Sequence, residues 1–317
     1  IYTIAYTLSL PTLFRSELQI HILRWMSLPL TILGRAALFK MISLPKLLYV
    51  LQNTYYRIPT DIFLKLNGDI RRLLWKGHPR IALDTLHRNQ YNGGIALPDV
   101  EAYYRAGHLI VINEWLHSSP SHPTYHLEKN SMGNRSLLHY LYGGRGASKL
   151  LPATQVMIQT WVKANKSMGW AKKITKKTPL WDGELMSETT KLKGFRQWDA
   201  IGISVVGDIL EGEQLLSFEA LRSEFQLQGS QYFKYIQLQD AWRAQKIDVS
   251  NLAEFAPLEA RLLGEQIDQK AVSITYRTLL NNAPDKLHKI REVGKGYRRI
   301  RKYRFGGGSD APQGGCH

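Results

Sequence analysis

Residues 28–51 read LPLTILGRAALFKMISLPKLLYVL, and how they fold decides the rest of the chain. Leu33, Ala37, Met41, Leu44, Leu48 and Leu51 recur at spacings of three or four, which places them on one face of an α-helix. The spacing predicts a single helix from Thr31 to Gln52. Pro45 has no backbone N–H to donate and should kink it. Arg35, Lys40 and Lys46 interrupt the apolar tract, and no Asp or Glu occurs between Arg24 and Asp61. A polar side of this composition suits a polyanion as its partner.

Working outward, Ile1 to Leu10 alternates β-branched or aromatic residues with small or polar ones, the pattern of a strand whose pairing partner lies elsewhere. Pro11-Thr12 then opens a helix with Leu13, Phe14, Leu18, Ile22, Trp25 and Met26 on one side, ending before Pro29. Downstream, Thr60 serves as N-cap for a third helix that runs to Trp75 and stops at Gly77. At 100° per residue, Ile62, Phe63, Leu66, Ile70, Leu73 and Leu74 share one arc, with Lys65, Arg72 and Lys76 on a neighbouring stripe. Three amphipathic helices with short connections make a small bundle over residues 11–77, cationic on its outside.

Residues 78–120 read as a connector. Asn92-Gly93-Gly94 marks a turn between short β-prone runs, and a helix follows from Asp99 to Leu116. Ser118 to His122, rich in Ser and Pro, is the expected domain boundary. Residues 121–285 then form a mostly helical region: Leu137–Tyr142, a glycine loop at 143–146, Pro152–Asn165, a helix begun by Ser217, and QYFKYIQLQDAW. Within it WVKANKSMGWAKKITKK, residues 161–177, holds six lysines and two tryptophans without an acid. Lys163, Lys166, Lys172 and Lys173 beside Trp161 and Trp170 suit a single-stranded nucleic acid, phosphates on the lysines and bases on the indoles. The alternative is a solvated lysine loop with Trp161 buried. Residues 286–317 are a basic arm ending in GGGSDAPQGG. The fold class is therefore mainly α, a three-helix bundle followed by a helical region with short β-hairpin elements.

With 42 Lys and Arg against 26 Asp and Glu, the formal net charge is +16, a field that attracts nucleic acid or an anionic surface. No run of about 20 uncharged apolar residues exists to span a bilayer. The uncharged opening lacks a basic n-region and an initiator Met, which points to a fragment and not to a secreted precursor. One cysteine, Cys316, excludes an internal disulfide and favours an intracellular setting, nucleus or cytoplasm. No two aspartates are adjacent, so a local two-carboxylate metal clamp is absent, and there is no Walker loop, GxSxG elbow or HExxH helix. His117, His122, His126 and His139 cluster loosely in sequence, a spacing that does not specify a metal site.

Several segments together resemble the region downstream of the catalytic domain in reverse transcriptases of LINE-type non-LTR retrotransposons. The resemblance is carried by RWMSLPLTILGRAALFKMISLPKLLY (24–49), IPTDIFLKLNGDIRRLLWKGHPRIAL (58–83) and GGIALPDVEAYYRAGHL (93–109), in the family's order. WDAIGISVVGDILEGEQLLSFEALRSEFQLQGSQYFKYIQL (198–238) is similar to the family's C-terminal region. The resemblance implies that the first bundle corresponds to the polymerase thumb. Arg35, Lys40, Lys46, Lys65, Arg72 and Lys76 would then touch the phosphates of a template-primer duplex of RNA and DNA, positioning it without reading bases. The palm and fingers, their paired aspartates and the magnesium they would hold, and the endonuclease, belong to parts of the family's polyprotein that this chain does not show. The chain itself is therefore expected to need no cofactor and to be inactive alone. The family's Cys/His knuckle is matched only in degenerate form: Lys302-Tyr303-Arg304-Phe305-Gly306 stands where a cysteine pair is expected, with Cys316 and His317 as a remnant. No metal ligand set is expected.

Overall fold

Leu18, Ile22 and Trp25 lie three or four residues apart on a helix through residues 15–26 (α1), and all three are buried. The computed structural model describes residues 15–282 except 17, 55, 77–79, 118–122, 134–135, 143–145, 171–172, 182–184, 186–194 and 268–269. The strand expected over 1–10, the stop at Gly77, the break at 118–122 and the arm from 286 onward lie outside the described residues. The fold is mainly α. Among the described residues the one sheet is a two-stranded antiparallel hairpin, β1 (Leu210–Glu211) and β2 (Gln214–Leu215). No helix among them is long and apolar enough to cross a membrane.

The expected helix from Thr31 to Gln52 forms in three pieces: α2 (Ile32–Leu38), a π-helical turn (Phe39–Ser43) and α3 (Leu44–Gln52). Pro45 is the physical reason. It cannot donate to the carbonyl four residues back, and its ring would press on that group. The wider turn takes up the conflict, with the Leu44 N–H reaching back five residues to Phe39. The turn corrects the face read from the sequence. Ala36, Phe39, Ser43, Leu44, Leu47 and Leu51 are buried, while Leu33 and Ala37 face out and Met41 is 75% exposed.

α4 (Thr60–Trp75) buries Phe63, Leu66, Ile70, Leu73 and Leu74, the expected arc. Its N-cap is Pro59 and not Thr60, and it ends where Lys76 turns left-handed at φ 53°. Asp69 is buried on the same helix and accepts from Arg15 Nε at 2.7 Å and from Gln19 Nε2 at 3.3 Å, which ties α1 to α4. The β-prone runs expected around Asn92 are instead a short helix, α5 (Leu83–His87), and a 3₁₀ turn. Gly94 is obligatory there, because a Cβ would stand 2.0 Å from the Arg88 carbonyl oxygen.

α6 (Val100–His117) joins two cores. Val100 and Tyr104 pack with α1–α5, while Ala106, Leu109, Ile110 and Ile112 pack with α8 (Leu137–Leu141), α9 (Pro152–Ser167), α13 (Pro257–Leu262) and α14 (Ala271–Asn281). α7 (Pro123–Met132) contributes Met132 to the second core. Gly107 lets α3 come close: a Cβ there would meet Gln52 Cγ at 2.6 Å. A third core gathers Trp181, Phe195, Trp198 and Ile203 with α10 (Arg196–Ala200), α11 (Phe218–Phe225) and α12 (Tyr232–Ala244). Ser217 caps α11 as expected, its hydroxyl accepting from the Ala220 N–H at 3.2 Å.

Asn113 is 1% exposed and satisfied on both ends. Its Nδ2 donates to the carbonyls of Leu262 (3.1 Å) and Glu265 (3.0 Å), and its Oδ1 accepts from the Ile267 N–H (3.0 Å). Asn113→Leu would strand one buried and two part-buried backbone groups, the buried one at roughly 1–3 kcal/mol and the others at less. We expect a loss of about 2 kcal/mol or more in denaturant unfolding, and an unchanged midpoint would remove Asn113 from this role.

His108, buried on the same helix, has its Nε2 unpaired, and desolvation pushes its imidazole from 6.5 down to about 4, against a hydrogen bond with the Leu51 backbone that acts the other way. The unfolded chain therefore binds a proton that the folded chain refuses across this window. Stability is complete above the unfolded value and declines as pH falls through it, by about 2–3 kcal/mol at about pH 4.5. Glu128 works in the opposite sense, since burial raises its carboxyl to about 7 and its cost grows as pH rises toward that value. The difference between the protein and its His108→Leu variant isolates the imidazole: the gap in unfolding free energy should change by that amount between about pH 7 and about pH 4.5.

Candidate nucleic-acid interface

The six cations expected to grip a duplex take three different roles. Arg35 is 7% exposed, and its Nη1 donates to the Leu74 carbonyl at 3.0 Å. Leu74 sits in the last turn of α4, whose carbonyls have no intrahelical donor, so Arg35 closes that helix end and meets its negative dipole. This corrects the expectation that Arg35 contacts phosphate. The sequence could not separate it from its neighbours, because a cation in an apolar run carries no mark of which carbonyl it will meet.

Lys76 Nζ donates to the Leu28 carbonyl at 3.3 Å, and Lys40 Nζ to the Ile95 carbonyl at 3.1 Å. Lys65 pairs with Asp61 at 3.1 Å, and Arg72 stands 3.6 Å from Asp69. Both cation side chains remain more than half exposed; the Lys65 pair is exposed on both sides and contributes little, whereas the carboxylate beside Arg72 is buried. Lys46 is exposed on α3 and has no ion-pair partner among the described residues.

In the lysine and tryptophan segment, Trp161 is 2% exposed, packed in the second core beside Tyr142. It cannot stack on a base, and the buried alternative holds for it. Its position on α9, four residues after Met157 and three before Ala164, is the core face of that helix. Trp170 is half-buried, with Lys173 Nζ 4.6 Å from the centre of its ring. Lys173 is exposed, and Lys172 lies outside the described residues.

Lys163 and Lys166 project from the outer side of α9 into a cleft where three segments meet. Thr60 enters from the start of α4 and Arg57 from the segment just before it, Glu101 and Arg105 from the first turns of α6, and the two lysines from α9. The cleft encloses about 400 Å³. Glu101 is shared, bonded by Arg105 and 3.5 Å from Lys163. Arg57 and Lys166 have no ion-pair partner among the described residues. Tyr104 lines the floor, its hydroxyl accepting from the Ile58 N–H at 3.4 Å, and burial raises its phenol above the usual range, offset by that bond and the Arg57 charge. Arg57 and Arg105 are site residues that sequence reading missed. Arg105 is marked in sequence only by Glu101 four residues earlier, the spacing of a helical ion pair.

Among the described residues the histidines gather no metal site. His117 Nδ1 lies 2.9 Å from the Asn113 carbonyl, His139 is buried against Tyr140, and His122 is outside the described residues. Among the described residues no group of three or more His, Cys, Asp or Glu could hold a metal ion, and Cys316 and His317 lie outside them. No protein-family model matches the chain.

Replacing Arg35 by Met should lower stability by about 1–3 kcal/mol, since the Leu74 carbonyl loses its charged donor. Thermal or urea unfolding checks this, and a variant as stable as the parent would contradict the helix-closing role.

Proposed function

We propose that this chain is a nucleic-acid-binding part of a LINE-type retrotransposon reverse transcriptase, holding RNA and DNA of a template-primer through phosphate contacts. The observation that supports it best is the cleft at the meeting of α4, α6 and α9, where four cations face one carboxylate. The net charge of +16, the cations Lys46, Lys65 and Arg72 on the outside of the first bundle, and the ordered motifs support it further. The resemblance places palm and fingers as the partners of this region and assigns polymerisation, with its magnesium, to them. Side chains here bind and position a strand; none of them supplies an adjacent carboxylate pair.

Phosphate contacts release counterions, so affinity for a primer-template duplex should fall steeply with salt, with a log–log slope of about −3 for three or four neutralised phosphates. Charge reversal at Lys46, Lys65 and Arg72 should weaken binding uniformly across sequences and flatten that slope. A salt-independent affinity in a fluorescence anisotropy titration would refute the reading.

A second reading, a helical interaction module, is favoured by large apolar side chains exposed on the first bundle, among them Leu23, Leu33, Met41, Tyr49 and Leu64. Gel filtration separates the two: a monomer that shifts only with duplex supports the first, and oligomers formed without nucleic acid support the second.

A further inference from the structure

We infer that the cleft between α4, α6 and α9 is a site for a terminal phosphate monoester of a nucleotide. Arg57, Arg105, Lys163 and Lys166 line one cavity against the single carboxylate of Glu101, which already serves Arg105 and Lys163. Gathered like charges repel, and a dianion entering between Arg57 and Lys166 converts that repulsion into attraction.

The start of α4 adds to the same field. Thr60 lines the cleft at the positive end of this helix of 16 residues, whose first turn also carries Asp61 and whose Ile62 N–H donates to the Pro59 carbonyl at 3.2 Å. Ile58, Phe63 and Val156 add apolar surface to the lining, beside Gln159 and Thr160. Charged groups on one side and apolar surface on another fit a ligand with a phosphate at one end and a flat organic body at the other. At about 400 Å³ the space is near the lower bound for small-molecule sites, which suits one nucleotide, free or at the end of a strand. A terminal monoester carries close to two charges, whereas a phosphodiester within a strand carries one, so the concentration of four cations selects the end of a strand over its interior.

The cleft alone carries the phosphate site. That the phosphate arrives on a strand end rests on the nucleic-acid reading above, and a free nucleotide is the other source of the same chemistry. Calorimetric titration of the full chain with adenosine monophosphate, adenosine and inorganic phosphate tests the site itself. The monophosphate should bind and adenosine should not, and Arg57→Gln with Lys166→Gln should weaken the monophosphate about tenfold or more. Both side chains are solvent-exposed at the rim, and an unchanged melting curve will show that the variant is folded.

Competition between a short single-stranded oligonucleotide with a 5′-phosphate and the same oligonucleotide with a 5′-hydroxyl tests the source. A preference of about tenfold that the double variant erases supports the strand end. Monophosphate binding without such a preference supports the site and assigns it to free nucleotide. Equal, salt-sensitive binding of both oligonucleotides with no monophosphate binding overturns the inference while leaving nucleic-acid binding intact. Monophosphate binding that the double variant does not change overturns it as well.

Discussion

A helix shared between two cores carries its polar atoms into the interior, and α6 is such a helix: it leaves the His108 Nε2 unpaired and satisfies Asn113 in full. Tyr104 meets Phe63 of α4 at 5.3 Å in the first core, and Leu109 and Ile112 fill the second. Asn113 resolves the polar demand by holding three backbone groups of the turn after α13. Tyr276 of α14 adds a further tie, stacking on Tyr103 at 3.8 Å and accepting from the Asp99 N–H at 3.1 Å. Burial pushes its phenol up to about 12, against the Asp99 bond, which acts the other way.

The cationic cleft follows from this arrangement. The first turns of α6, the start of α4 and α9 meet around one cleft, where Val156 of α9 joins the first core. Charged side chains line this cleft, Glu101, Arg105, Lys163 and Lys166 held by helices and Arg57 by the short segment before α4. Arg105 and Lys163 share Glu101 across α6 and α9. The cation density at this place thus has a structural cause as well as the chemical reading given to it.

Long amphipathic elements were legible in the sequence. The arc of α4, the extent of α6 and the Ser217 cap of α11 all match the periodicity that predicts them. The orientation of residues 31–52 was not legible, because almost every position there is apolar and two faces fit a helical period equally well. The π turn ahead of Pro45 then shifts the phase, exposing Leu33 and Met41 and burying Phe39. Local chemistry also misreads cations whose partners are backbone atoms far along the chain, such as Arg35 with Leu74. The cleft depends on residues near 57, 101–105 and 163–166, and no local pattern brings these together. Trp161 was undecided between base stacking and burial until α9 fixed its face.

The sharing of α6 has a consequence for how the chain can be divided. A piece stopped just after His117 would carry Leu109, Ile110 and Ile112 as a bare greasy flank, while the remainder would lose the hydrophobic ridge around which its own helices close. The first piece keeps a core of its own and so does the segment around Trp198, but the core that α6 shares with α9, α13 and α14 is lost to both. Cooperative melting across both bundles, and clumping of any half made separately, are what such a common spine dictates.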